Sequence, residues 1–137
     1  MEENNSKAPY VLIVDDEVFI RALIRSALKG LRINILEAAD GLEALRLLED
    51  RGDDICVLIT DHDMPGMTGD DLIAKMKEKF PKIKSLLTSG RLTQDDIDEM
   101  HGHSKPDTFL AKPFSMEVIK KLTFDLITAF IAGDDSK

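Results

Sequence analysis

"VLITDHDMPG", residues 57–66, is the stretch on which the fold turns. Val57, Leu58 and Ile59 belong to a continuous apolar run with β-branched residues, the pattern of a strand buried on both faces. Asp61 and Asp63 are residues that such a strand excludes. Met64-Pro65-Gly66 then turns the chain. A buried strand that stops on acid and turns at once carries carboxylates to one end of a sheet. The expected location is the rim of a pocket and not the core.

The flanking sequence repeats this plan. "YVLIV" (10–14), "INILEA" (33–38), "ICVLIT" (55–60), "IKSLLTS" (83–89) and "TFLA" (108–111) read as strands, with 55–60 the most hydrophobic and central. Between them, apolar residues recur every three or four positions. From Glu17 to Lys29 the apolar face is Ile20, Leu23, Ile24, Ala27 and Leu28, and Gly30 stands where a C-terminal cap belongs. Residues 41–52 form a helix begun at Asp40-Gly41 and stopped near Gly52. Asp70 to Phe80 spaces Leu72, Met76 and Phe80 by four, and Pro81 ends it. Thr93 caps a segment over 93–100 with few apolar residues, and 101–107 reads as loop. Ser115 caps a last helix whose buried side is Val118, Ile119, Leu122, Leu126, Ile127, Phe130 and Ile131. Five strands alternating with five helices over short connections require a parallel sheet, right-handed crossovers and helices on both faces.

Length and composition bound the function. The 137 residues make one domain: a tail over 1–9, the domain over 10–132, a tail over 133–137. No apolar run approaches the roughly 18–20 residues that span a membrane. The polar start "MEENNSK" is neither a signal nor a transit peptide and reads as a natural beginning. The lone Cys56 forms no internal disulfide, which suits a reducing cytoplasm. Twenty-six acidic against 18 basic residues give −8, of which the tails hold about −1 each. That charge opposes direct contact with nucleic acid or an anionic membrane. It suits metal cations and basic partner surfaces, although solubility alone also accounts for it.

In open parallel α/β sheets, ligands bind beyond the carboxyl ends of the strands. Here the first strand ends in Asp15-Asp16, the third in Asp61, the fourth in Thr88-Ser89-Gly90 and the fifth in Lys112-Pro113. Three carboxylates, a hydroxyl and an ammonium can thus converge on one edge. Clustered carboxylates repel one another unless a cation neutralises them, and oxygen ligands suit Mg²⁺. A hydroxyl and a lysine beside them match a phosphoryl group. A carboxylate can itself be the nucleophile that accepts it.

The set "VDDE" (14–17), "DHDMPGMTG" (61–69), "TSG" (88–90) and "FLAKPF" (109–114) resembles the receiver domain of bacterial two-component response regulators, from about Tyr10 to Ala132. The resemblance implies a flavodoxin-like (βα)5 sandwich with strand order 2-1-3-4-5. It implies Asp61 as phosphoacceptor, Mg²⁺ (or Mn²⁺) held by Asp16, Asp61 and the backbone carbonyl of Asp63, and Asp15 acting through water. Thr88 and Lys112 would bond phosphoryl oxygens. Thr88 and Phe109 would form the switch, and Pro113 would follow a cis bond. The donor would be a sensor histidine kinase or phosphotransfer protein, and the output an unnamed protein. Phosphorylation and hydrolysis would be intrinsic, without sustained turnover. Since the chain ends with the last helix, leaving no room for a DNA-binding output domain, either a stand-alone regulator or a receiver excised from a larger protein such as a hybrid kinase is expected, with the natural start favouring a stand-alone regulator or the N-terminal portion of a longer chain.

Taken singly, each motif has a plainer reading. Asp15-Asp16 could cap a helix. Thr88 could be a strand residue, Lys112 a solvated charge and Phe109 core packing. Cys56 is expected to be an inert buried hydrophobe, and His101 and His103 to be solvated. Two other functions compete. "DHD" fits the Asp-x-Asp of a haloacid-dehalogenase-type phosphatase, with Asp61 as nucleophile and Asp63 as acid/base. There the Asp-Asp pair would follow the motif instead of preceding it, and no cap domain fits. A module that is never phosphorylated is the third reading. The sequence departs from the receiver pattern between Thr88 and Lys112, where "HGHSKPDT" replaces a small-residue turn. The fourth helix is therefore expected to be short or mobile. Asp63 and Gly90 lie where this family sets the phosphoryl lifetime.

Overall fold

A computed structural model describes residues 8–133; most of the two expected tails lies outside the described residues. Five parallel strands form one sheet of order β2-β1-β3-β4-β5. They are β1 (Tyr10–Val14), β2 (Asn34–Ala38), β3 (Ile55–Asp61), β4 (Lys84–Ser89) and β5 (Thr108–Ala111). The helices are α1 (Val18–Ala27), α2 (Gly41–Arg51), α3 (Gly69–Lys79), α4 (Gln94–Asp98) and α5 (Met116–Ile131). The expected architecture is the observed one.

Strand periodicity divides the core into two layers. Successive side chains on a strand point to opposite faces. Val11, Ile13, Val57, Ile59 and Leu86 pack with Ile24 of α1, with Leu28 just after it, and with Ile119, Leu126 and Ile127 of α5. Leu12, Val14, Leu58 and Leu87 pack with Ala44 and Leu48 of α2, Leu72, Ile73 and Met76 of α3, and Ile97 of α4. All seven residues of β3 are buried, so it is the central strand the sequence indicated. Each fully buried Leu or Ile contributes about 1.5–3 kcal/mol over its exposed state.

Caps fix most helix starts. The Asp40 carboxylate accepts from Glu43 N, and the Ser115 hydroxyl accepts from Val118 N. Thr93 and Asp96 form a reciprocal capping box at α4. Two expectations change, and the fourth helix is short, as expected. Helix α1 ends at Ala27, with Leu28 as its cap, and Gly30 serves the turn beyond at φ +95°. On α5, Val118 (45% exposed) and Ile131 (70%) face outward, while Thr123 is fully buried. The Thr123 hydroxyl donates to Ile119 O at 2.7 Å, which satisfies it inside its own helix and lets it pack like an apolar residue. Helix α4 has five residues, shorter than the 93–100 segment, and a 3₁₀ turn at Gly102–Ser104 follows it. Among the described residues no helix is long and apolar enough to cross a membrane.

Candidate functional site

Register assembles the site. Val14 pairs with Thr60, so Asp15 stands just beyond β1, level with Asp61 at the end of β3. Asp61 pairs with Thr88, and Ser89 pairs with Ala111, which puts Lys112 one residue past the edge of β5. Lys112 N donates to Ser89 O at 2.8 Å, and His62 N donates to Thr88 O at 2.8 Å. The three loops are thereby sewn together at the carboxyl end of the sheet.

Asp15, Asp16 and Asp61 each place a carboxylate oxygen within 4.8 Å of the others. Asp16 is exposed to solvent, but Asp15 is 1% and Asp61 4% exposed. The acid is therefore set deeper than a pocket rim. The cause is the Lys112 ammonium, which lies 3.2 Å from Asp15 Oδ2 and 3.1 Å from Asp61 Oδ1. Asp15 Oδ1 also accepts from Glu17 N at 2.9 Å, but Glu17 is itself the N-cap of α1 and makes no side-chain cap bond, so Asp15 is not the cap of that helix. Burial pushes the Asp15 carboxyl above its usual range, against the Glu17 amide and Lys112, which pull it down. Burial alone would lower the Lys112 ammonium; Asp15 and Asp61 outweigh it and raise it.

Charge is not balanced here. Two buried carboxylates share one ammonium, and Asp61 Oδ1, although ion-paired, has no donor in hydrogen-bonding geometry among the described residues. A buried carboxylate oxygen without a donor, with a solvated carboxylate beside it, fits a hard cation taking oxygen ligands and water. Thr88 is buried next to Asp61 and presents the one hydroxyl the sequence assigned there. Phe109 pairs with Leu87 and is half-buried against the layer that holds α3 and Ile97. The Lys112-Pro113 bond is cis.

The Asp63 carboxylate does not join the acidic cluster. Ser89 Oγ donates to its Oδ2 at 3.0 Å, and Arg91 reaches its Oδ1 through Nε at 3.1 Å and a terminal nitrogen at 3.0 Å. His62 Nδ1 lies 2.9 Å from the same Oδ1. Partial burial would raise the Asp63 carboxyl, but these donors outweigh it and hold it below the usual range. A carboxylate kept ionised is poorly suited to general acid work. Ser89 lies in the TSG motif without a role assigned to it there, Arg91 lies outside any motif, and their partner is 26 and 28 residues away.

Gly69 is the other residue whose role shows only in three dimensions. A Cβ there would lie 2.3 Å from Asp61 O, so only glycine lets α3 start against the end of β3. Gly66, in the turn, has φ +86°. Cys56 is buried on β3, which pushes its thiol up to about 12 and leaves it inert. His101 and His103 are exposed.

Residues 11–124 match the response regulator receiver domain family. The chain belongs to that family. It is a receiver domain of two-component signalling systems. It is 34% identical over 114 residues to the chemotaxis protein CheY of Pseudomonas aeruginosa, which covers 81% of this chain and 90% of that protein. It is 35% identical over 123 residues to the sensor histidine kinase CheAY of Helicobacter pylori, covering 86% of this chain. The receiver domain spans 11–15% of the length of the sensor kinases it matches. A signal receiver domain from an HD domain-containing protein of Pseudomonas fluorescens superposes with a TM-score of 0.82 at 22% identity, over 91% of this chain and 98% of that one, a likeness of fold.

Proposed function

We propose that this receiver domain, residues 10–132, accepts a phosphoryl group on Asp61 from a phosphohistidine. The donor is a sensor histidine kinase or phosphotransfer protein, the kind of protein several relatives are named as. The observation that carries the reading is the buried Asp61 carboxylate beside Lys112 and inside an acidic cluster. Asp61, Asp16 and the Asp63 carbonyl would hold Mg²⁺ (or Mn²⁺), with Asp15 acting through water. Bound there, the cation neutralises the cluster and the incoming phosphoryl oxygens. An Asp61 carboxylate oxygen attacks phosphorus, and the phosphorus–nitrogen bond of the donor breaks with its electron pair leaving on the donor's imidazole. Lys112 releases Asp61 Oδ1 and binds a phosphoryl oxygen, and the Thr88 hydroxyl binds another. Thr88 moving toward the phosphoryl group leaves room for half-buried Phe109 to turn inward. That motion alters a protein-binding surface, the bistable element a local charge change needs.

The phosphatase reading is not favoured, since its acid/base Asp63 is pinned by Ser89 and Arg91. An unphosphorylated module gives no reason to bury two carboxylates on one ammonium. A cytoplasmic location suits the unpaired thiol, and the acidic surface suits protein partners over nucleic acid.

The test is incubation with a small phosphodonor or beryllofluoride, with and without Mg²⁺, on wild type and Asp61→Asn. A hydroxylamine-sensitive acyl phosphate formed once per chain, only with Mg²⁺ and only with Asp61, is the expected result. Sustained release of phosphate from a phosphomonoester, or uptake that survives Asp61→Asn, would overturn the reading.

A further inference from the structure

Asp16 is the least supported member of the acidic cluster. It places a carboxylate oxygen within 4.8 Å of those of Asp15 and Asp61. Yet it is exposed and makes no hydrogen bond or ion pair among the described residues. Its place in the cluster is set through its backbone. Asp15, the residue before it, is held on four sides. Its N–H donates to Ala38 O at 3.2 Å, and its Oδ1 accepts from Glu17 N at 2.9 Å. Its Oδ2 meets the Lys112 ammonium at 3.2 Å. Its carbonyl oxygen accepts from Arg21 Nη1 at 2.7 Å. That carbonyl belongs to the rigid, planar peptide group that joins Asp15 to Asp16. Arg21 therefore fixes the plane on which Asp16 is hung.

Arg21 is not an ordinary surface charge. Its side chain, on α1, is only 16% exposed, and its Nε donates to Glu37 Oε1 at 3.0 Å. Glu37 lies on β2 opposite Ile13 of β1, and its other oxygen takes Arg25. One guanidinium thus spans from a carboxylate on the edge strand to the carbonyl just past β1. That reach needs two nitrogens in a fixed fork.

We infer that Arg21, braced by Glu37, is a positioning residue that orients the Asp15–Asp16 peptide and so holds the Asp16 carboxylate where a divalent cation can use it, a role that rests on the metal-dependent acceptor reading above. Charge and geometry give this role opposite signs. A guanidinium beside Asp15 repels any cation bound by the cluster, so as a charge alone its removal would tighten Mg²⁺ binding. As the support of Asp16, its removal weakens that binding.

Arg21→Met is expected to weaken Mg²⁺ binding about tenfold, the effect of losing a partner behind a metal ligand. Arg21→Lys keeps the charge but cannot bridge both oxygens, and is expected to bind Mg²⁺ nearly as weakly. It also keeps the claim testable should Arg21→Met fail to fold. Glu37→Gln combined with Arg21→Met should bind no more weakly than Arg21→Met alone, because Glu37 acts through Arg21. Arg25→Met is the control: it removes a charge from the same helix and a contact from the same glutamate without touching Asp15. Its affinity is expected to stay within about twofold of wild type.

Calorimetric titration with MgCl₂ measures the affinities, and denaturant unfolding in metal-free buffer shows which variants are folded. Amides of Asp16 and Glu17 in the metal-free protein should exchange faster in Arg21→Met and Arg21→Lys but not in Arg25→Met, a local change that a general loss of stability would not confine to this loop. Unchanged or tighter Mg²⁺ binding in Arg21→Met, or wild-type affinity in Arg21→Lys, would overturn the positioning role while leaving Asp61 as acceptor. A wild type that binds no Mg²⁺ would instead overturn the metal-dependent acceptor reading, and this role with it.

Discussion

Lys112 Nζ lies 3.1 Å from Asp61 Oδ1, occupying the oxygen that has no hydrogen-bond donor in the described residues. The ammonium is the positive charge that Asp15 and Asp61 share, and a cation bound by the same carboxylates would be repelled by it. Lys112→Met is expected to raise Mg²⁺ affinity by about threefold or more, because a positive charge leaves the site. Metal-free stability is expected to fall, since Asp15 and Asp61 lose their shared partner. Calorimetric titration and denaturant unfolding measure the two effects. Weaker Mg²⁺ binding in this variant would show that Lys112 supports the metal instead.

Asp61→Asn tests the same imbalance from the other side. It removes a like charge from beside Asp15 and replaces an oxygen without a donor by a neutral amide. In metal-free buffer the variant is expected to be more stable than wild type by about 1–3 kcal/mol. Mg²⁺ stabilises wild type by about 2.7 kcal/mol when present at a hundred times its dissociation constant, and Asp61→Asn should lose most of that gain. Equal stability of the two proteins without metal would mean that Lys112 neutralises the cluster alone.

Acidity gives a third expectation, with a definite sign. The folded-state pKa of Asp15 is raised above its ordinary 3.8, mainly by burial. Between the unfolded and folded values the native state binds more protons, so stability falls as pH rises through that window. The cost persists above it. Asp15→Asn removes the cost, so its stability advantage in metal-free buffer should grow from pH 4 toward neutrality. Lys112, raised above its ordinary 10.5 by the carboxylates, behaves oppositely: its contribution is full below that value and is lost as pH climbs through the folded one. Unfolding titrations of wild type and Asp15→Asn between pH 4 and 11 follow both. An advantage that shrinks with rising pH would refute the assignment.

How much of this was legible beforehand follows from the range of the interactions. Apolar runs and their acidic ends are local patterns, and they located five strands, the sheet class and Asp15, Asp16, Asp61, Thr88 and Lys112. The depth of Asp15 and Asp61 was not local, because it depends on Lys112, 97 residues from Asp15. The Asp63–Ser89–Arg91 contacts join two loops whose sequences say nothing of each other. The face of α5 was misread at Val118 and Ile131 because hydrophobicity alone marks neither the end of a helix nor a threonine satisfied by its own backbone.

Gly69→Ala separates steric need from turn chemistry. The new Cβ would meet Asp61 O at 2.3 Å and Leu87 Cδ1 at 2.8 Å, and the first of these is backbone. Relief requires moving the start of α3 or the end of β3, and with it the acceptor. The expected cost is about 1–3 kcal/mol, with slower phosphoryl uptake. Gly66→Ala, at φ +86° with open space around it, bears only the strain of the left-handed region, about 1–2 kcal/mol, and should leave uptake rates closer to wild type. If Gly66→Ala slowed uptake more than Gly69→Ala, the close approach at Asp61 would not be what positions the acceptor.

Helix α4 supplies the last expectation. It has five residues, well under the length at which a helix holds itself in water, and buries only Ile97. Its capping box secures the first turn at Thr93 and Asp96, and beyond it the ties are few: Gln94 Nε2 donates to Asp98 Oδ1 at 2.9 Å and partly buried Met100 packs against the core. Asp107 ties the far end of the following loop down, accepting from Ser85 N at 2.8 Å. The weakly held part therefore lies between, over residues 97–105. Helix α3, eleven residues with Leu72, Ile73 and Met76 buried, is its natural control. Amides over 97–105 are expected to exchange about tenfold or more faster than those of 73–79, because local opening there exposes little apolar surface. Such a segment, lying between Thr88 and Phe109 in the chain, is the part of the fold that a phosphoryl group on Asp61 could rearrange at least expense. Protection equal to that of α3 would make α4 rigid, and the switch would then have to act through Phe109 and β5 alone.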